Sequence, residues 1–558
     1  MKKNVLALSI AAMIGGLGFA NIASADVVVG TGTGPSATDQ GTIVNGVWVP
    51  DAATAGAAWR QTATNTRGLR VAEGGTGHSL VVPYFNAQNG NMTVLHVVNT
   101  DTVNGKAMKV RFRGALNSDD ILDFQVFMSP GDVWTAAVSA GSDGVATLTT
   151  GDGTCTLPAL AKGVPQAFVQ DRLNPGMSAA DKANNTREGY VEIFNMADIP
   201  ADSATNSLYT AIKHVNGVAP CTASVLNATL VNHTTETSAA GAGFNTPTTG
   251  LYGDWYIINV AQTTTFSGGA TAITALTPAG VAGRGNFVHF PQNANANGSP
   301  INFSADPLFR TDSKDAAGVT VSGAKIAAAN YDLPDLSTPY TVLAGLSATP
   351  ALRPLAQATN LTNAIKVTSI TNQYANDASI SAKTDWVFSM PTRRYNVAAN
   401  YAATSNGAFS TAASDYRLFS DLAAVGFGDE MFTAANTTAL ATNGAICVNA
   451  DAQTFYDREE TTKTSGAVFS PGTVSATRFC GETSVLSFAD SGVSVLGGAV
   501  ARQNVSGVYT NGWAVLSTNN SGKGLPILGS SFIKLSNPSA TAGTSGTYGI
   551  TWDHRFTR

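Results

Sequence analysis

The chain has 558 residues, a formal net charge of −5, 12% charged residues, 44% hydrophobic residues and 56 glycines. That apolar fraction supplies a core and argues against disorder despite the scarcity of charge. A mildly acidic chain with no basic cluster argues against nucleic acid as a partner, and the length suits roughly two to four domains.

At the start, Lys2 and Lys3 precede an apolar run from Val5 to Ala20, and Ala23-Ser24-Ala25 presents small residues where a signal peptidase reads. Residues 1–25 are therefore expected to be a signal peptide cleaved before Asp26, of bacterial type. Gly15, Gly16 and Gly18 break the run, and no later stretch is long and apolar enough for a transmembrane helix. The expected location is the cell surface or the extracellular medium, with the periplasm as the alternative. Residues 26–75 hold no sustained periodicity and read as a flexible leader. Gly30 to Gly41 has the glycines of a phosphate loop, but Pro35 opposes the helix such a loop requires.

From His78 to Val138 the pattern predicts a meander of five antiparallel strands. Met108, Val110 and Phe112 alternate with Lys109, Arg111 and Arg113, as in a sheet with one dry face and one wet face. Leu122, Phe124, Val126 and Met128 repeat the alternation, and so do Met92, Val94, His96 and Val98. Turns are marked by Gln88 to Asn91, Asn104-Gly105, Asn117 to Asp120 and Ser129 to Asp132. Further strands are expected at 144–149, 188–196, 253–260 and 286–290, with a short helix at 207–215 turning Leu208, Ile212 and Val215 inward. These elements define a first β-sandwich domain over 76–300.

Residues 301–380 carry Pro307, Pro334, Pro339, Pro350 and Pro354 and read as a connecting region with a helix near 352–364. A second β domain is placed at 381–558. Its patterned stretches are 384–397, 455–460, 484–488 and 512–516, and its last strand runs from Tyr548 to Phe556 with Tyr548, Ile550, Trp552, His554 and Phe556 on one face. The predicted class is all-β, with antiparallel β-sandwich domains, immunoglobulin-like or similar, and minor helix in the connections. An amphipathic final strand also suits an outer-membrane β-barrel, but scattered prolines and too few long alternating segments oppose it.

The four cysteines, Cys155, Cys221, Cys447 and Cys480, show no CxxC spacing. In an exported chain they are expected as disulfides. Sequence leaves three connectivities open, of which nearest-neighbour pairing, Cys155 with Cys221 and Cys447 with Cys480, is the one expected.

Neither GxSxG nor HExxH occurs, and the six histidines lack ligand spacing, so no catalytic, cofactor-binding or metal residue is predicted. His96 and His289 lie within strand patterns and are expected to be packed or hydrogen-bonded. The densest charge cluster is Asp457, Arg458, Glu459 and Glu460. Carboxylates for glycoside hydrolysis stand about 5 to 10 Å apart across a sugar, which neighbours on one segment rarely achieve. A solvated turn with local ion pairs is expected there. Calcium has no supporting loop pattern.

The blocks QNGNMTVLHVVNT, KVRFRGALNSDDILDFQVFMSPGDVWTA, TDWVFSMPTRR, FYDREE, GWAVLS with GLPILG, and the closing HRF resemble a group of Sec-exported bacterial cell-surface proteins. The resemblance implies a surface location and an all-β, surface-layer-like body, and it supplies no catalytic residue. The expected function is a non-catalytic structural cell-surface protein that self-associates into a coat or layer as a cell-envelope component. The alternative is a binding module or adhesin for a glycan or polymer, with Trp134, Trp255, Trp386 or Trp513 stacking on the ligand. Core packing is the competing fate of each tryptophan. A secreted hydrolase is the weaker third reading.

Overall fold

Alternating side chains and short polar turns place the strands of the first half. They are β1 (Gly41–Val44), β2 (Val47–Pro50), β3 (Gly68–Val71), β4 (Ser79–Asn86), β5 (Met92–Asn99), β6 (Gly105–Gly114), β7 (Asp120–Met128), β8 (Val133–Ala140), β9 (Ala146–Thr149), β10 (Cys155–Leu157), β11 (Gln166–Ala167), β12 (Glu188–Ile199), β13 (Leu251–Asn259), β14 (Thr264–Gly269) and β15 (Thr271–Leu276). The computed structural model describes residues 27–31, 41–44, 47–50, 63–201, 206–231, 233–292, 313–315, 317–321, 334–342, 353–399, 401, 404–405, 408–409, 417–420, 431–439, 443–464, 478–488, 494–505, 509–518, 520–537, 539–541 and 546–558. The expected signal peptide, residues 1–25, and much of the expected leader lie outside the described residues.

Two sheets form the first sandwich, a seven-stranded one in the order β10-β7-β6-β12-β4-β15-β3 and a six-stranded one in the order β11-β9-β8-β5-β13-β14. Val82, Val110, Phe112, Phe124 and Val126 from the first meet Leu95, Val97, Trp134 and Ile257 from the second. The all-β sandwich expected from the pattern is thus the observed fold. The five strands β4 to β8 occur as expected, but they do not form one meander. The chain crosses between sheets after β4, β5 and β7, because each crossing points the next apolar set into the shared core. On β5 the inward set is Thr93, Leu95, Val97 and Asn99, and Met92, Val94, His96 and Val98 lie half-buried on the outer side. Residues 286–290 form no strand. They run extended, with an isolated bridge from Phe287 to Val28.

The expected wet face of β6 is corrected by burial. Lys109, Arg111 and Arg113 are each at most 1% exposed, because Gln292 reaches over Lys109 and residues 334–342, the helix Arg353–Ile365 and the turn Arg393–Tyr395 cover the rest of that side of the sheet; Lys106, of the opposite parity, is fully buried too. Each cation there meets an acid, as a buried charge must. Lys106 Nζ donates to Asp198 at 2.9 Å, Lys109 pairs with Asp123, Arg111 with Asp120, and Arg113 stands 3.5 Å from Glu192. Arg394, far along the chain, reaches the same Glu192 at 2.8 Å.

The second half contributes β16 (Ser369–Ala375), β17 (Lys383–Ser389), β18 (Ala452–Tyr456), β19 (Thr462–Thr464), β20 (Thr483–Ser487), β21 (Arg502–Asn504), β22 (Asn511–Ser517), β23 (Ser530–Ser536), β24 (Thr547–Asp553) and β25 (Arg555–Thr557). They form two five-stranded sheets, ordered β19-β18-β22-β16-β25 and β21-β20-β17-β23-β24. Ile370, Trp386, Phe388, Phe455, Leu486 and Leu516 fill the core between them. In the second of these sheets β17 and β20 are buried on both faces. Val387, Val485 and Phe532 point the other way, into the core of the first sandwich.

Several boundaries move as a result. Residues 63–71 of the expected leader include β3, a strand of the seven-stranded sheet, and Val28 packs in the core. The connecting region ends before β16, and its helix lies on the first sandwich, with Leu355 and Leu361 against Val81 and Phe194. The helix Ser207–Ile212 forms as expected, capped by Asn206, with Leu208 and Ile212 buried. Val215 lies beyond it, exposed. The final strand divides at His554: β24 pairs with β23 and β25 with β16. His554 turns into the core, while Trp552 stays 41% exposed.

Both expected disulfides are present, Cys155–Cys221 with Cα atoms 5.2 Å apart and Cys447–Cys480 between directly paired strand residues. No helix among the described residues is long and apolar enough to cross a membrane.

Candidate functional site

Three of the four tryptophans considered for ligand contact are core residues. Trp134 is fully buried, edge-on to Phe124. The indole N–H of Trp255 donates to the Gly269 carbonyl at 3.2 Å and its ring meets Phe532. The Trp386 indole donates to the Gln373 carbonyl at 3.1 Å, beside Phe488 and His554. For Trp255 and Trp386 these contacts satisfy the polar edge of the ring as well as its apolar body.

Trp513 is the exception. On β22 its neighbour Ala514 and then Leu516 face the core, so alternation turns Trp513 outward, where it is 40% exposed. It is paired across the ladder with Tyr456, and the two rings lie parallel, with centroids 4.0 Å apart and 7° between their planes. Gly512 permits this approach. A Cβ there would fall 1.8 Å from the Tyr456 carbonyl oxygen.

The stacked pair forms one wall of a groove of about 820 Å³, set where the two second-half sheets meet. Gln373 on β16 lies next to Trp513 on the same face. The opposite wall is Ile533 and Leu535 of β23 with Ile550 and Trp552 of β24. Registration of Ile533 with Ile550 and of Ser531 with Trp552 puts these side chains on one face, whose reverse side, Phe532, is held by the first core. The wall is therefore fixed by packing from behind, as a preorganised site requires.

Polar groups gather at one end. Asp457, Arg458 and Glu460 line the groove beside Asn511. The turn is closed by Asp457, whose Oδ1 accepts the backbone N–H of Glu459 and of Thr461, both at 2.8 Å. Burial would raise the Asp457 carboxyl, but hydrogen bonds from the Thr461 hydroxyl and the backbone outweigh it and hold the group below the usual carboxylate range. Glu460 adopts a left-handed backbone, φ 65°, a conformation costly for a residue with a side chain. Asp457 and Glu460 belong to one turn on one wall, so they do not flank a sugar from opposite sides in the way glycoside hydrolysis demands.

One other cluster was invisible in the sequence. Ser129, Asp132 and His214 converge, but Ser129 Oγ stands 3.2 Å and Asp132 Oδ2 3.7 Å from the same ring nitrogen, His214 Nδ1. A catalytic triad uses the two imidazole nitrogens separately, so this is no charge-relay arrangement. His289 is buried among Phe244 and Phe287, and burial drives its imidazole down to about 3. Among the described residues no group of three or more His, Cys, Asp or Glu side chains could hold a metal ion.

Sequence reasoning identified Trp513 and the charged turn, and it missed Tyr456, Gln373 and Trp552 as their neighbours. For Trp552 the signal was available in its alternation with Tyr548 and Ile550. The fold and groove together define an all-β double sandwich bearing an open, aromatic-walled cleft. No family model, no curated protein and no solved structure matches the chain.

Proposed function

We propose that the protein is an exported, non-catalytic component of the cell envelope that holds a glycan polymer in the groove between Trp513 and Trp552. The observation that carries this reading is the pair of exposed indoles on facing walls, one of them backed by Tyr456, whereas Trp134, Trp255 and Trp386 are buried. Sugar rings present apolar C–H faces to aromatic planes and hydroxyls at their edges. Gln373 and Asn511 offer amides that both donate and accept, and Arg458 and Glu460 add one donor group and one acceptor group.

The expected structural role fits the same reading. The resemblance to Sec-exported surface proteins, the predicted signal peptide and the two disulfides suit an exposed setting, and the groove gives such a body an attachment to envelope polysaccharide. The test is retention on insoluble cellulose and chitin. The wild-type chain should be retained, and Trp513→Ala and Trp552→Ala should each weaken binding about tenfold, the worth of one good stacking contact. Retention unchanged in the double variant would refute the assignment.

A further inference from the structure

We propose that Lys109 and Gln292 become joined in the folded protein by an isopeptide bond, formed by the chain itself with Asp123 as the proton carrier. The three side chains make a closed triangle. Lys109 Nζ donates to Gln292 Oε1 at 2.8 Å and to Asp123 Oδ1, and Gln292 Nε2 donates to the same Asp123 Oδ1 at 2.6 Å. Nucleophile, amide and proton carrier are thus in mutual contact, the geometric condition for acyl transfer to a side-chain amine.

The fold builds this contact from three segments that are separate in sequence. Lys109 on β6 is paired with Gln125 on β7, and Asp123, two residues before Gln125, shares its face. Gln292 follows the extended stretch that carries Phe287, Val288 and Phe290 into the core. Gln125 Nε2 donates to the Phe290 carbonyl at 2.6 Å and so pins that stretch over the same two strands. Lys109 is fully buried, which keeps water away from its amine. Arg111 stands 3.8 Å from Asp123 Oδ2, on the side of the carboxylate turned from the lysine and the amide.

The step balances without a further reagent. Asp123 takes one proton from the Lys109 ammonium, and the freed lone pair forms the bond from Nζ to Gln292 Cδ. The terminal torsion of a glutamine side chain is soft, so the amide can turn its carbon toward Nζ. Asp123 passes its proton to Nε2 as the Cδ–Nε2 bond breaks, and the second Nζ proton leaves with the ammonia as ammonium. Nothing is oxidised or reduced. Two other lysines show what the triangle adds. Lys106 meets Asp198, which burial would raise but which the charges of Lys106 and Arg284 hold below the usual carboxylate range, and an amine does not attack a carboxylate. Lys534 meets Gln262, but the charge beside it is that of Lys383.

Mass spectrometry of the purified protein, unfolded and with its disulfides reduced, tests the proposal. The intact chain should be lighter by one ammonia than its amino-acid sequence requires, and a tryptic digest should contain a branched peptide joining Lys109 to Gln292. Lys109→Arg and Gln292→Met should each restore the full mass, and so should Asp123→Asn in a chain whose circular dichroism matches the wild type. A wild-type chain at full mass, with Lys109 and Gln292 recovered only in linear peptides, would overturn the bond and leave a buried ion pair bridged by an amide. Ammonia lost without the branched peptide would place the loss elsewhere and overturn it as well. An Asp123→Asn chain that still carries the branch would overturn the role given to Asp123.

Discussion

Two carboxyl groups in the same buried layer are driven in opposite directions. Asp335 is pushed up by burial, but the guanidinium groups of Arg394 and Arg113 prevail and hold it below the usual carboxylate range. Asp119 has no such direct partner. Burial raises it to about 7, against the Tyr401 hydroxyl, which donates to its two oxygens at 2.9 and 2.7 Å, and the more distant charge of Arg113. Between about pH 4 and pH 7 the folded state therefore keeps a proton that the unfolded state has released. Stability from this group is present at the acid end and falls as pH rises through 7. The excess of wild-type over Asp119→Asn stability should shrink by up to about 4 kcal/mol from pH 4 to pH 8, as read by denaturant unfolding. A difference that stays flat over that range refutes the assignment. The subtraction also isolates Asp119 from His78, His289 and His554, whose imidazoles burial lowers to about 4, 3 and 3 and whose contributions run the other way, lost as pH falls below about 6.5.

Strands β18 and β22 owe their spacing to one missing side chain. With a Cβ placed 1.8 Å from the Tyr456 carbonyl oxygen, Gly512→Ala should part the ladder at that point and pull the Tyr456 and Trp513 rings out of register. The expected cost is about 1–3 kcal/mol, with loss of the near-ultraviolet dichroism of the stacked pair and weaker binding to polysaccharide. An unaltered spectrum would show that the ring pair does not depend on the glycine. That β22 is a strand with Trp513 outward was legible, because Ala514 and Leu516 set the inward parity within seven residues. Parity on β6 was equally clear, but the meaning of its polar side was not. Lys109, Arg111 and Arg113 have the spacing of a solvated face, and only tertiary covering by Asp335 and Arg394, more than two hundred residues away, makes it an interior. Alternation reports which residues share a face and says nothing about what lies over it.

At the scale of the whole molecule the two halves share a core, with Val387, Val485 and Phe532 of the second packed into the first, and this too was out of reach of local pattern. Val387 and Trp386 are adjacent and both fully buried, one in each core, so the middle of β17, Trp386-Val387-Phe388, reads as the unbroken apolar run that any strand buried on both faces would show. Phe532 makes the dependence testable. It sits on β23, behind the groove wall, yet packs against Tyr84, Trp255 and Phe266 of the first sandwich. The buried pair of Arg394 with Glu192 and the bond from the Arg393 guanidinium to the Leu116 carbonyl at 3.1 Å also join the halves, and in the ion pair losing one partner strands the other without solvent. If the halves fold as one unit, calorimetric unfolding should give a single transition, and Phe532→Ala, at a cost of about 3–5 kcal/mol for a large buried aromatic, should move that transition as a whole. Two resolved transitions with only one displaced would mean independent domains. In the unified case the variant should also weaken polysaccharide binding without touching a ligand-facing atom, because Ile533, the next residue on the strand, loses the packing that fixes its side of the groove.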